Sequence, residues 1–464
     1  MASKSRSLVK AVLVLILATA GAVLAGQEVK TGAVDPKQIE APVADAKQIK
    51  VSDDLKKPAW LTELSVTTRE VYDSNVFGTD VNRTAAFPKI ANVSSWMTAV
   101  TPKVAVNFAP LLGADKDDKS VETLALSYAP EVVRYYDAAT ENYEAHRVGT
   151  QIKGKLDSFS YNLDSAFVYI DGNENSPQYS TASAYGTAIA RERRDQMQER
   201  GKLVLRNDWE AWFVRGVANT TYYDLNTKTY DNSATSAHPG WQNWVDRYDV
   251  NGGIDIGYKI TKDFAATLGY RYGHQYQQNF NWSAGAPSNT NDYNRVLGGF
   301  EGKPVKWLKV EVQGGPSFHS YDQNLAQPGH DNDITQFFCE GTAVAEITSV
   351  DSLALTVKQW QWVSSTGVSS YEDKTYGAVY KRKWLKEFST TAGILIQNSN
   401  YDAPTIRTDW LYTYSFGAKY DLNEYLSFMA DYSYSRGENG VDESTANGRE
   451  FERNLVTLGV KAQF

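Results

Sequence analysis

From Trp60 to Phe464 the chain alternates at two scales: residue by residue between apolar and polar, and segment by segment between short and long connections. In "DIGYKITKDFAATLGYRY", Ile256, Tyr258 and Ile260 continue a stripe begun by Ile254. After a short polar turn, Phe264, Ala266, Leu268, Tyr270 and Tyr272 form another. Successive side chains of a strand point to opposite faces, so each stripe marks a strand greasy on one side and wet on the other. The format recurs in "GFEGKPVKWLKVEVQGG", "AEITSVDSLALTV", "VYKRKWLKEFSTTAGILI" and "FGAKYDLNEYLSFMADYSY", and less sharply in "QIKGKLDSFSYNLDSAF" and "KLVLRNDWEAWFVRGVA". Eight short turns, the longest near Leu111–Lys119, alternate with nine longer polar stretches around 77–92, 137–143, 171–188, 224–243, 277–292, 320–333, 363–370, 398–407 and 436–449. Short turns on one side and long loops on the other are the asymmetry of a membrane barrel with tight periplasmic turns.

Nine loops and eight turns imply 18 strands, so the expected fold is all-β: one transmembrane antiparallel up-and-down β-barrel of 16 to 18 strands over residues 60–464. A propeller would show a repeat of about 40 residues, and none is visible. A run of sandwiches would need linkers, and none follows residue 60. Only a closed barrel leaves no strand edge unpaired in lipid. The 29 Tyr, 17 Phe and 12 Trp suit the aromatic girdles of such a barrel, and equally a sugar-binding surface.

Two segments precede the barrel. Lys4, Arg6 and Lys10 followed by "AVLVLILATAGAVLA" read as a signal peptide, residues 1–25, cleaved after Ala25. Residues 26–59 contain the repeats Asp35–Ile39 and Asp45–Ile49, are rich in Pro, Lys, Asp and Gln, and read as a flexible periplasmic tether. Removing residues 1–25, with three Lys/Arg and no Asp/Glu, takes the formal charge from −8 to −11. No strongly basic segment suggests a nucleic-acid partner. The lone cysteine, Cys339, excludes an intrachain disulfide framework.

The chain closes with "NLVTLGVKAQF": Val456, Leu458, Val460 and Phe464 share one face, Thr457, Lys461 and Gln463 the other. This resembles the terminal strand by which bacterial outer-membrane proteins are recognised by the barrel-assembly machinery. The resemblance implies a diderm outer membrane, with the lipid bilayer and lipopolysaccharide as surroundings. At the other end, "TTREVYDSNVFGTD" is followed by a strand containing Pro102. Tyr72, Asp73, Ser74, Asn75, Val76 and Phe77 with Pro102 resemble the β-barrel porin type 2 family, some of whose members are associated with exopolysaccharide export. Asp73, Ser74 and Asn75 are turn formers. They read as a strand end leading into the first external loop, or alternatively as a cation or sugar-hydroxyl site made by Asp73 and Asn75.

The sequence carries no Gly-x-Ser-x-Gly elbow, no His-Glu-x-x-His helix and no Cys/His metal spacing, so neither an enzyme nor a cofactor is expected. In "FHSYD" the neighbours of His319 point to opposite faces, which excludes a triad there. "RERRDQMQER" (191–200) reads as a solvated strand extension, with an anion-binding Arg cluster as the alternative. Gly252–Gly253, Gly298–Gly299 and Gly314–Gly315 read as structural bends.

The face opposite each apolar stripe supplies the candidate lumen: Lys153, Lys155, Arg200, Lys202, Arg206, Arg247, Asp249, Asp255, Arg271, Glu311 and Glu340, with Asp431 and Lys461. Arg or Lys at the midplane of the lipid face costs about 2–4 kcal/mol, so these charges face inward or lie near the rims. Arg200, Lys202 and Arg206 share one face of one strand, and Asp249, Asp255, Glu311 and Glu340 are expected on the wall across from them. A barrel of this size leaves a water-filled channel unless plugged. The expected function is passive diffusion of small polar solutes; the alternatives are an accessory pore for polysaccharide export and a structural or adhesive barrel with a blocked lumen.

Overall fold

A computed structural model describes residues 57–76, 94–112, 119–171, 195–224, 246–278, 289–321, 332–363, 370–402, 407–439 and 451–464. The signal peptide, nearly all of the tether, Phe77 and residues 191–194 lie outside the described residues. Eighteen strands run β1 (Leu61–Asp73), β2 (Ser95–Asn107), β3 (Thr123–Tyr135), β4 (Tyr143–Leu156), β5 (Phe159–Asp171), β6 (Asp195–Asp208), β7 (Trp212–Asp224), β8 (Arg247–Thr261), β9 (Phe264–Gln277), β10 (Asn291–Val305), β11 (Leu308–Tyr321), β12 (Asp333–Glu346), β13 (Asp351–Val363), β14 (Ser370–Lys383), β15 (Phe388–Tyr401), β16 (Arg407–Asp421), β17 (Leu426–Asn439) and β18 (Phe451–Gln463). Each pairs antiparallel with its chain neighbours, and β1 pairs with β18, so the sheet closes. No helix among the described residues is long and apolar enough to cross a membrane; this chain crosses with strands.

The alternation sorts every strand into an outer and an inner face. Ile254, Ile256, Leu268, Val296, Val312, Leu355, Phe416 and Leu458 are exposed although strongly apolar, which is stable only against lipid. Bulky aromatics ring the short-turn end: Trp209, Trp212, Trp307, Trp384 and Tyr425 are all exposed. Such a girdle places amphipathic rings at a membrane interface. The belt and the closed sheet together are the architecture of an outer-membrane protein.

The closing seam is held at its long-loop end by residues of the Tyr72–Val76 stretch. Asp73, fully buried, takes the guanidinium of Arg453 on β18 through Nε at 2.9 Å and through Nη2. The Asn75 backbone N–H donates to Asp73 Oδ1 at 3.0 Å, and Asn75 Nδ2 donates to the Glu452 carbonyl at 2.9 Å. Ser74 N–H bonds the Asn454 carbonyl (3.0 Å) while Asn454 N–H bonds Ser74 Oγ (2.8 Å). The polar triplet therefore ends β1 and fastens it to the last strand. Asp73 and Asn75 spend their side chains on protein partners, which disfavours the cation or sugar site.

At the other end of the seam, Lys461 Nζ reaches Glu63 at 2.7 Å, as does Lys103, and the Phe464 N–H donates to the Leu64 carbonyl at 2.8 Å. Val456, Leu458, Val460 and Phe464 are exposed on the outer face. Pro102 lies where β2 would meet Pro130 of β3, and the ladder lapses between the pairs Val100–Val132 and Val104–Tyr128. Neither proline has an N–H to give, so the two sacrifice one stretch of ladder together.

One part of the wall bends sharply. A Cβ at Gly253, Gly299 or Gly315 would lie 1.8, 2.4 or 2.0 Å from a carbonyl oxygen of the neighbouring strand. All three are on the inner face of β8, β10 and β11, where glycine lets backbones approach closely. The curvature brings β9 and β13, four strands apart, into contact across the inside.

A constricted, charged lumen as the candidate functional site

Long side chains from the strands flanking this bend meet over the inner surface. Arg206 (β6) binds Asp208 at 2.9 and 3.0 Å and Glu301 of β10 at 2.6 Å, with its guanidinium 3.5 Å above the Phe213 ring. Arg215 (β7) binds Glu301 at 2.5 Å and Asp255 at 2.7 Å. Asp255 is held from its other side by Arg271, at 2.5 and 2.9 Å. Asp255 and Arg271 are 1% and 3% exposed. Buried charges are tolerated when paired and hydrogen-bonded in this way. The ladder alternates in sign and largely cancels its own field.

The acidic residues are therefore not all across from the cations. Asp249 and Asp255 lie on β8, two strands from β6 and on the same wall. Asp255 is neutralised by Arg215 and Arg271, and Asp249 takes Tyr293 OH at 2.9 and 3.0 Å, Gln275 at 2.9 Å and Asn251 at 2.8 Å. Glu311 (β11) stands 3.9 Å from Lys202, and Glu340 (β12) accepts Gln313 Nε2 at 2.5 Å. Lys153 pairs with Glu122 at 2.8 Å; it and Lys155 sit at the short-turn end of β4. Asp431 lies beside Gly417 on the β16–β17 wall. On the side of the seam, Glu131 gathers Arg69, Arg147 (3.4 Å), Thr101 (3.1 Å) and Tyr143 (3.3 Å).

Among the described residues, the element that narrows the lumen is a hairpin. Pairing of β13 with β12 stops at Gln359–Cys339, whereas pairing with β14 continues to Val363–Ser370. The tip leaves the wall and leans inward. Arg247 Nη1 donates to the Val363 carbonyl at 2.5 Å, and Gln275 Nε2 to the Gln361 carbonyl at 2.8 Å. Gln361 Nε2 donates to Asp402 (2.7 Å) and Ser370 (3.1 Å). Trp360 and Trp362 stack 4.5 Å apart; Arg247 lies 5.1 Å from the rings of both Trp362 and Tyr223, and Lys358 Nζ 3.6 Å from that of Trp360. Arg247 is thus a clamp for the hairpin. Sequence reasoning missed the bend, though "LALTVKQWQWV" carries a trace of it. Leu353, Leu355 and Val357 occupy the lipid face. Past them that parity turns polar at Gln359 and Gln361, and the bulk moves to Trp360 and Trp362.

Among the described residues, cavities of about 560, 540 and 300 Å³ lie in file beneath the hairpin. The first two share Lys202, Asn219, Arg271, Gln313, Glu340 and Lys358, and the lower two share Arg215, Glu301 and Glu311. Two residues absent from the sequence-derived set, Arg295 and Lys358, line the upper cavity. A relay on β10 and β11 supports Arg295: Arg295 Nε donates to Ser317 Oγ (3.1 Å), Ser317 Oγ bonds His319 Nε2 (2.8 Å), and His319 Nδ1 bonds Asn291 Oδ1 (2.9 Å). The order of groups resembles a hydrolytic triad. With Ser317 and His319 each 2% exposed and the hydroxyl already accepting from Arg295, the arrangement fixes a guanidinium.

The model of one family, described as "Putative beta-barrel porin 2", matches residues 343–464. Over that quarter, the chain carries the family's pattern. The Tyr72–Phe77 motif lies outside the matched stretch. Solved structures similar in fold include OccAB3 of Acinetobacter baumannii (11% identity, TM-score 0.39), OpdK of Pseudomonas aeruginosa with vanillate (10%, 0.41) and a BenF-like porin of Pseudomonas fluorescens Pf-5 (9%, 0.40). Each covers 87% of this chain and 98% of its own. At such scores they assign no role to any residue here. No curated protein matches the sequence.

Proposed function

We propose that this barrel is a porin-like outer-membrane channel for passive diffusion of small polar solutes. The observation that carries the reading is the file of cavities inside a closed barrel, joined by shared charged residues, with the β13–β14 hairpin leaning in above them. Selection then rests on pore width and fixed charge at the constriction. The porin family match over residues 343–464 supports the same reading. Mixed charge along the cavities favours small solutes over a polysaccharide, for which a continuous aromatic track would be expected; the Trp and Tyr rings cluster at the hairpin instead.

The outer belt is the surface offered to lipid and lipopolysaccharide. The outward residues of β18, ending on Phe464, are the element offered to the barrel-assembly machinery. Residues 1–25 act as export signal and 26–59 as tether. The test is single-channel recording on the purified barrel in a planar bilayer: discrete conductance steps support the channel, and a silent, correctly folded barrel favours the blocked, structural alternative.

A further inference from the structure

Among the charged groups around the upper cavity, Arg295 has no carboxylate partner among the described residues. Arg295 is 4% exposed, its Nε is spent on Ser317, and its Nη2 is buried with no hydrogen-bond partner among the described residues. No carboxylate among those residues lies within ion-pair distance of it. The guanidinium is sandwiched between the rings of Tyr293 (4.0 Å) and Phe338 (4.1 Å), which holds its plane fixed. Lys358, on the same cavity, stands across from Glu340 in the ladder but rests its ammonium over Trp360.

The acids nearby are differently placed. Asp249 already accepts from Tyr293, Gln275 and Asn251, and Glu340 from Gln313. The lining of this cavity carries five cations, Arg200, Lys202, Arg271, Arg295 and Lys358, against three carboxylates, Asp164, Asp249 and Glu340. A buried polar group with no partner is costly, and an arginine fork is matched in shape by a carboxylate.

We propose that the upper cavity is a binding site for a small organic carboxylate. Its acid group pairs with the free edge of Arg295, with Lys358 as second cation, and its body lies against Leu297, Phe338 and Trp360. The site rests on the reading of the lumen as a solute path and gives that path a preferred passenger. A cavity of about 560 Å³ has room for a ligand the size of a benzoate or a sugar acid. The Ser317–His319–Asn291 relay positions Arg295 and touches no ligand itself.

The test uses calorimetric titration of the full-length, purified barrel with gluconate, benzoate and, as the uncharged counterpart, glucose. Saturable binding of at least one acid, with glucose silent, is expected. Arg295→Gln should weaken it about tenfold or more, the loss of a charge-assisted hydrogen bond, and Lys358→Gln by a smaller factor. Folding of each variant is read from its heat-modifiable gel mobility, and if Arg295→Gln does not fold, Lys358→Gln decides. Failure of both acids to bind, equal binding of glucose, or unchanged affinity in the folded variants would each overturn the site. A barrel that binds gluconate but passes no current would refute the channel and keep the site; one that conducts but binds neither acid would do the reverse.

Discussion

Breaking the Asp73–Arg453 clasp should open the barrel at its seam. Asp73 is fully buried and takes two bonds from Arg453 and one from the Asn75 N–H. Removing one partner of a buried pair strands the other, at about 3–5 kcal/mol. Arg453 retains some solvent contact (18% of its side chain), so Asp73→Ala should fall near the lower end of that range, about 3 kcal/mol. Arg453→Met leaves a buried carboxylate with a single N–H, and should cost as much or more. Replacing both, as Asp73→Ala with Arg453→Met, removes the stranded charge. The double variant should therefore be less damaged than the sum of the singles by about 3 kcal/mol, roughly a hundredfold in the unfolding equilibrium. Urea titration of the vesicle-reconstituted barrel, followed by heat-modifiable gel mobility, gives the four stabilities. Single losses below about 1 kcal/mol, the range of an exposed ion pair, or strict additivity in the double variant would refute the clasp.

Other consequences follow from the same geometry. Lys202, whose nearest carboxylate stands 3.9 Å away, should carry pore selectivity: Lys202→Gln should shift the reversal potential in a salt gradient toward cations, and less so at high salt as screening shortens the field's reach. Arg206→Gln should instead lower stability by about 1–3 kcal/mol, since it removes charge-assisted bonds from Glu301 and Asp208, which keep Arg215 and Lys259 as partners; urea titration separates the two outcomes. With Cys339 replaced, a cysteine at 461 should label with a membrane-impermeant thiol reagent and one at 458 should resist it; the opposite pattern would invert the register. Deleting Phe464 should lower the amount of barrel in outer-membrane fractions, and unchanged levels would remove that residue from the assembly signal.

The strand count, the inward and outward faces and the two classes of connection were legible because each rests on period-2 alternation, a local property. Lys461, Arg271 and Asp255 fall on the inner face by parity alone. Which charges meet was not legible. Arg206 finds Glu301 because inner-face glycines bend the wall, and curvature is a property of several strands together. The "YDSN" stretch was recognisable as a strand end, but its partner, Arg453, lies at the far end of the chain. The leaning hairpin depends on where β13 leaves β12, a competition between ladder bonds and the Arg247 and Gln275 contacts that no single strand encodes. Arg295 was not legible because its supports, Ser317 and His319, share the inner face two residues apart and reach it only through bonds that cross from β11 to β10.

Whether the lumen is a path can be measured most directly by comparing single-channel conductance of the wild-type barrel with that of a Trp360→Ala, Trp362→Ala variant. These stacked rings fill the inward-leaning hairpin beside the upper cavity. The account predicts discrete openings for the wild type and a conductance at least about twofold larger for the variant, because width and lining at the constriction set the flow. Equal conductance would place the constriction elsewhere, and silence from both folded proteins would contradict the channel itself.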